Sequence, residues 1–134
     1  MNEDFVTYEL AVKLKEKGFD APCYGYYHRD GGNDSFELCG DRDFLNSKNK
    51  HRIAAPTIPQ VLKWLREEQK LHIEVMFIRP LHNRVKYYIT DVDGSRGDFM
   101  DVADEHYETW EQATLAGIEY VLDNFFSYDT KNKI

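Results

Sequence analysis

The sequence predicts one α+β domain with a mainly antiparallel sheet built from two hairpins, and about three helices, in the order α-β-β-α-β-β-(β)-α. Three segments repeat apolar residues at helical spacing behind an N-capping residue, and two pairs of short runs flank turn-rich sequence. The links are short, which favours antiparallel pairing of neighbouring strands. We assign residues 1–127 to this domain and expect residues 128–134 to form a frayed, polar tail.

The first helix is predicted from signals at both of its ends. Thr7 suits the N-cap position, and Leu10, Ala11 and Leu14 then fall on one face. Lysines crowd the C-terminal end, where cations stabilise the helix dipole, and Gly18 can adopt the left-handed conformation that ends a helix. We therefore expect an amphipathic helix between Thr7 and Gly18.

Two aromatic-rich runs predict the first hairpin. They lie near Cys23–His28 and Ser35–Cys39, and the segment Arg29–Asp34 between them contains Asp-Gly-Gly-Asn-Asp, which favours a turn. The expected register pairs Tyr27 with Phe36 and Gly25 with Leu38.

That register assigns a face to every side chain of the hairpin. Because strand side chains alternate, the core face receives Tyr27, Phe36 and Leu38. The opposite face then carries Tyr24, Tyr26, His28, Glu37 and Cys39. The two cysteines, Cys23 and Cys39, would point to opposite faces, so we expect free thiols.

The middle of the chain predicts a loop followed by a helix. Gly40–Ala55 is polar and irregular, and we expect a long loop there. Thr57 and Gln60 then form a capping-box pattern, with Pro59 in the first turn, where its missing N–H is harmless. The buried stripe of this helix is expected to contain Ile58, Val61, Leu62 and Leu65.

A second hairpin and a last helix follow. The run LHIEVMFI alternates in polarity, and Val85–Thr90 returns after a turn. The expected register pairs Phe77 with Val85, Val75 with Tyr87, and Ile73 with Ile89. A short strand is expected around Phe99–Val102.

Thr109 and Gln112 then form a second capping box, and the last helix has a stripe of Ala113, Gly117, Val121 and Phe125. Gly117 predicts a close approach of this helix to the sheet.

Composition narrows the class of function. The chain has 134 residues and a net charge of −7, and binding to a phosphate backbone depends on neutralising lysines and arginines, so we expect no nucleic-acid partner. No apolar run approaches the ~18 residues of a membrane span, and no membrane partner is expected. The N-terminus is acidic and lacks an apolar leader, which predicts a cytoplasmic, reducing location.

No motif predicts a catalytic residue, a cofactor or a metal site. The segment DVDGSRGD is rich in oxygen ligands, but it lacks the acid order of a calcium loop and is more typical of a charged turn. The five histidines have no zinc-type spacing, and neither a phosphate-binding glycine loop nor a Gly-x-Ser-x-Gly elbow is present. The cysteines are more typical of structural or exposed thiols than of nucleophiles.

Two surfaces remain as candidates for binding. The first is the outer side of the first hairpin, Tyr24, Tyr26 and His28, since tyrosine is enriched at interfaces; a covering helix or loop is the alternative. The second is an acidic segment without intervening lysine or arginine, whose alternative is a solvated approach to a helix N-terminus. Its acids are Asp98, Asp101, Asp104, Glu105, Glu108 and Glu111.

Three stretches of sequence carry a resemblance. They are YELAVKLKEKGFDAPCYGYY, APTIPQVLKWLREEQKLHIEV and YETWEQATLAGIEYVLDNF. In this order they resemble a family of small proteins encoded by phages and mobile elements of Bacteroidetes, over most of the chain. The family has no assigned activity, so the resemblance implies only a cytoplasmic accessory protein of a mobile element.

These patterns together favour a non-enzymatic interaction protein. We expect it to bind a host or element protein through the hairpin aromatics or the acidic segment. The alternative is a small enzyme or ligand-binding domain with its site between the sheet and the 40–55 loop. A concave pocket with converging polar groups would favour the alternative, and a flat exposed patch would favour the interaction protein.

Overall fold

A computed structural model describes residues 4–40, 44–77, 85–91, 100–102 and 106–125. Within these residues it has three helices and two antiparallel sheets, which confirms the predicted α+β class. The elements are α1 Tyr8–Glu16, β1 Gly25–His28, β2 Glu37–Leu38, β3 Arg52–Ala55, α2 Ile58–Glu68, β4 Leu71–Phe77, β5 Val85–Asp91, β6 Met100–Val102 and α3 Trp110–Asn124. Short 3-10 turns lie at Asn33–Ser35 and Asn46–Lys48.

The chain forms two compact units. The first consists of Met1–Ile58 with Asn124–Ile134, and the second of Pro59–Asp123. The assignment of residues 1–127 to one domain stays a prediction, and the expected tail at 128–134 lies outside the described residues.

The sheet of the first unit has the strand order β2-β1-β3. Gly25 pairs with Leu38 as predicted, and Tyr26 pairs with Glu37 in the same register. The predicted pair of Tyr27 with Phe36 lies beyond the end of β2, and the two rings meet with centroids 5.4 Å apart. Tyr27 is buried as expected. The prediction for Leu38 is wrong: its side chain is 54% exposed, because β2 has only two residues and ends at this edge position of the sheet.

The expected loop at 40–55 is also wrong in part, because its last four residues form β3. This strand pairs along the whole of β1, from Gly25 with Ala55 to His28 with Arg52. Ile53, Ala54 and Ala55 are all buried, so the strand lacks the polar alternation by which a half-buried strand is recognised. The element order is therefore α-β-β-β-α-β-β-β-α.

Asn46 lies within the same segment, yet its side chain is buried. Its amide nitrogen donates to the carbonyl of Phe19 at 2.9 Å, and its amide oxygen accepts from the N–H of Ala54 at 2.9 Å. The Asn46 side chain thus links the segment after α1 to the edge of β3 that is not paired with β1. Buried amides of this kind are stable only when both ends are hydrogen-bonded, as they are here.

α1 begins and ends as predicted. The Thr7 hydroxyl accepts from the N–H of Leu10 at 3.3 Å, and Gly18 has φ +93°. The N–H of Phe19 then donates back to the carbonyl of Leu14 at 2.9 Å, which closes the last turn. Leu10, Ala11 and Leu14 are buried.

The second unit has a sheet of order β4-β5-β6. All three predicted pairs of the second hairpin are confirmed: Phe77 with Val85, Val75 with Tyr87, and Ile73 with Ile89. The expected third strand is present as β6, and Phe99, its predicted first residue, lies outside the described residues. In the preceding helix α2, Val61 and Leu65 are buried, and Leu62 is half-buried.

The start of α3 uses the predicted capping residues. The Thr109 hydroxyl accepts from the N–H of Gln112 at 3.0 Å. The amide oxygen of Gln112 accepts from the N–H of Glu108 at 3.1 Å, one residue before the N-cap position. Further along the helix, Ala113, Gly117 and Val121 are buried.

At Gly117, α3 approaches the sheet closely, as the sequence predicts. A methyl group placed on its Cα would lie 3.0 Å from Cγ2 of Ile73 and 3.2 Å from Cγ of Tyr87. These distances are shorter than ordinary van der Waals contacts, so the missing side chain brings the helix backbone onto the sheet.

Replacing Gly117 by alanine should lower the free energy of unfolding. Alanine gains up to about 1 kcal/mol of helix propensity. Overpacking of a core typically costs about 1–3 kcal/mol, and Ile73 and Tyr87 are both buried. Chemical denaturation of Gly117→Ala measures the balance. In the double variant Gly117→Ala/Ile73→Ala, the loss of unfolding free energy should be smaller than the sum of the losses in the two single variants. The reason is that Ile73→Ala removes the Cγ2 methyl group that the new alanine side chain would contact. A stabilised Gly117→Ala protein would contradict the close contact.

Candidate interaction surface

One face of the first sheet presents a cluster of aromatic and charged side chains, which we call the outer face. Alternation along β1 directs Tyr27 into the core and directs Tyr26 and His28 to the other side. The strands on either side of β1 add side chains to the same face, since Glu37 pairs with Tyr26 and Arg52 with His28. The outer face consists of Tyr24, Tyr26, His28, Glu37, Phe44 and Arg52.

Tyr26 is the centre of the outer face. Its ring stacks on Phe44, with centroids 4.9 Å apart and planes 20° from parallel. The Arg52 guanidinium carbon lies 5.1 Å from the centroid of the same ring, a cation–π geometry. The Tyr26 hydroxyl donates to Oε1 of Glu37 at 3.3 Å, so contacts from two neighbouring strands and from Phe44 position the ring.

His28 and Glu37 form an exposed hydrogen-bonded pair at the edge of this cluster. Nε2 of His28 contacts Oε2 of Glu37, and their side chains are 40% and 53% exposed. The hydrogen bond from His28 is the main cause that holds the pKa of Glu37 below its usual range. Desolvation raises the pKa of the Tyr26 hydroxyl, and the negative charge of Glu37 raises it further.

The sequence left open whether a helix or a loop covers this face. The residues of α1 lie on the opposite side of the sheet, where Tyr8 meets the ring of Tyr27 edge-on at 5.7 Å. Phe44, from the segment expected as a loop, stacks on Tyr26. Tyr24 is 49% exposed, so the outer face is covered in part and remains open to solvent at Tyr24, His28 and Glu37.

The structure brings together more residues than the sequence suggested. Tyr26 and His28 are in contact, with ring centroids 5.6 Å apart. Glu37 could have been added from the predicted register, which already placed it on this face. Phe44 and Arg52 could not, because they lie in the segment expected as a loop and no periodicity assigns them a face.

The acidic segment is only partly described. Asp98, Asp104 and Glu105 lie outside the described residues. Asp101 belongs to β6, where its backbone is opposite Ile89, and Glu108 is exposed just before α3. The proposed role of this segment in binding therefore stays a prediction.

Two clefts of the first unit bear on the alternative of a ligand site. One, of about 250 Å³, lies between α1 and the turn after β1 and includes Tyr8 and Arg29. The other, of about 330 Å³, is more open and includes Gly18, Asn46 and Ser47. Both include Lys15.

Metal binding, membrane crossing and similarity to known proteins each bear on the function of this chain. Within the described ranges, no group of three or more His, Cys, Asp or Glu side chains is arranged to hold a metal ion. Among the same residues, no helix is long and apolar enough to cross a membrane. Neither a protein-family model, nor a curated protein, nor a solved structure matches this chain.

Cys23, which is buried, and Cys39, which is half-buried, are free thiols.

Replacing His28 by glutamine should raise the pKa of Glu37 toward its ordinary value, because the carboxylate loses its hydrogen bond with the imidazole ring. A lowered pKa in the folded state contributes stability above the unfolded-state pKa, and this contribution is lost as pH falls through the folded-state pKa. The measurement is an NMR titration of the Glu37 carboxyl carbon in wild type and His28→Gln. His51→Gln, which removes an exposed histidine outside the outer face, is the control. An unchanged Glu37 pKa in His28→Gln would show that the contact does not form in solution.

Proposed function

We propose that this chain is a non-enzymatic interaction protein, an accessory protein of a phage or mobile element, and that the outer face is its contact surface. The observation that carries the proposal is the arrangement around Tyr26. Phe44, Arg52 and Glu37 hold its ring in place, while Tyr24 and His28 project beside it into solvent. The origin in a mobile element rests on the resemblance of three sequence stretches alone.

The chemistry of the outer face suits recognition of a protein. Tyrosine and arginine, together with tryptophan, are enriched among the residues that dominate binding energy at interfaces. A tyrosine loses little conformational entropy on binding, because it has only two rotatable side-chain bonds, and Tyr26 is already fixed by its neighbours. A partner would therefore meet a surface whose central side chains need little rearrangement.

The charge of the chain favours a partner with a basic contact surface. The net charge of the whole chain is −7. A field of one sign accelerates association with a surface of the opposite sign, and salt screens this effect. The proposed partner is a host or element protein with a basic surface, encountered in the cytoplasm.

The test is affinity capture of the tagged chain from its Bacteroidetes host, followed by binding measurements with the purified partner. Tyr24→Ala/Tyr26→Ala removes the two tyrosine rings of the outer face. Met76→Ala is the matched control, since it removes a similarly exposed apolar side chain from the second unit. Asp101→Asn/Glu105→Gln tests the acidic segment separately. Thermal unfolding confirms that each variant is folded.

We expect one partner to bind wild type and Met76→Ala equally, and to bind Tyr24→Ala/Tyr26→Ala about tenfold more weakly or worse. Its association rate with wild type should fall as the salt concentration rises. Two outcomes contradict the proposal: a partner whose binding the folded outer-face variant leaves unchanged, or no partner for any folded variant.

A further inference from the structure

The smaller cleft of the first unit has walls of mixed chemistry. It has a volume of about 250 Å³ and lies between α1 and the turn that follows β1. Its apolar wall is formed by Val12, Ile53 and the ring of Tyr8. Two cations, Lys15 and Arg29, and two acids, Glu16 and Asp30, line the same space. Apolar walls with a few convergent charges are typical of sites for small molecules.

Hydrogen bonds hold the walls of the cleft in place. The N–H of Tyr8 donates to Oδ1 of Asn33 at 2.8 Å, and the Tyr8 hydroxyl accepts from the N–H of Asp30 at 2.8 Å. Asp30 itself has φ 65°, a left-handed conformation that surrounding structure must maintain in a residue other than glycine. The cleft is thus built before any ligand enters.

The two cations in the cleft favour an anionic group. Nζ of Lys15 donates to the carbonyls of Asn49 at 2.8 Å and Arg52 at 3.0 Å, which leaves one of its three N–H groups. Burial, and then the positive charge of Arg29, lowers the pKa of Lys15. No ion pair engages the Arg29 guanidinium among the residues that the structure describes. A carboxylate between these cations would offset both the burial and the repulsion.

The two acids disfavour a ligand that carries only negative charge. Glu16 and Asp30 line the same cleft, so a phosphate or a dicarboxylate would be repelled by them as well as attracted by the cations. A molecule with one anionic and one cationic group meets both pairs favourably. The volume lies below the ~300–1,000 Å³ of pockets for drug-sized ligands, which limits the ligand to a small metabolite.

We propose that this cleft binds a free α-amino acid with an apolar side chain. Its carboxylate lies at Lys15 and Arg29, and its ammonium group lies at Glu16 and Asp30. The apolar side chain packs on Val12, Ile53 and the ring of Tyr8. This inference is independent of the outer face and of any protein partner.

The test is an NMR titration of the ¹⁵N-labelled 134-residue chain with three probes. L-leucine carries both charges, N-acetyl-L-leucine lacks the ammonium group, and L-leucinamide lacks the carboxylate. We expect L-leucine to shift the amide signals of Tyr8 and Asp30 with saturation. Each blocked probe should bind about tenfold more weakly or worse, since each loses charged hydrogen bonds. The two blocked probes also represent the termini of a peptide, so they separate a free amino acid from a peptide end.

Arg29→Gln is the preferred test of the two cations, because substitution of Lys15 would also remove its hydrogen bonds to the carbonyls of Asn49 and Arg52. It should weaken L-leucine binding by about tenfold, whereas Lys50→Gln, which removes an exposed cation that does not line the cleft, should leave binding unchanged. The proposal is overturned if L-leucine causes no saturable shift up to about 10 mM, a concentration near saturation for a Kd of about 1 mM. Equal binding of either blocked probe, or full binding by a folded Arg29→Gln variant, also overturns it.

Discussion

The first unit depends on the double hydrogen bond of Asn46. This amide donates to the carbonyl of Phe19, beyond the end of α1, and accepts from the N–H of Ala54 in β3. Both bonds are buried, where water cannot replace them, and an unmet buried polar group costs about 1–3 kcal/mol. β3 is an edge strand of a three-stranded sheet, so Asn46 satisfies the outward N–H that a neighbouring strand would otherwise bind.

The outer face and the cleft beside α1 both depend on the position of β3. On one side of the strand, Arg52 places its guanidinium over the ring of Tyr26 and completes the outer face. On the other side, Ile53 forms part of the cleft beside α1, and the carbonyl of Arg52 accepts from Lys15. A shift of this strand would therefore alter the contact surface for a protein and the cleft for a small molecule together.

Local patterns predicted a large part of the fold. The ends of α1 follow from Thr7 and Gly18, and both hairpin registers follow from alternation of apolar residues, which a slip by one residue would reverse. The close approach at Gly117 follows from a glycine in the middle of a helical stripe. Each of these features is determined within about ten residues of sequence or by one turn.

The features that escaped prediction involve distant parts of the chain. β3 contains the short buried run Ile-Ala-Ala, which lacks polar alternation. Its partner β1 is separated from it in sequence by β2 and by the segments on either side of β2. Asn46 belongs to a polar segment typical of a loop. Its side chain is buried because it hydrogen-bonds to Phe19 and to Ala54, and no local pattern of sequence indicates these contacts. For the same reason the sequence placed Tyr26, His28 and Glu37 on one face but gave no indication of Phe44 and Arg52.

Hydrogen exchange of the backbone amides in Asn46→Ala tests most directly whether this side chain holds β3. Asn49→Ala is the matched control, since the side-chain amide of Asn49 donates to the nearby Leu45 carbonyl at 2.7 Å and does not reach β3. If Asn46 holds the strand, the amides of Ile53, Ala54 and Ala55 should exchange at least about tenfold faster in Asn46→Ala than in wild type. The same amides should keep their protection in Asn49→Ala. Unchanged protection of β3 in a folded Asn46→Ala protein would contradict the account, because pairing with β1 alone would then suffice.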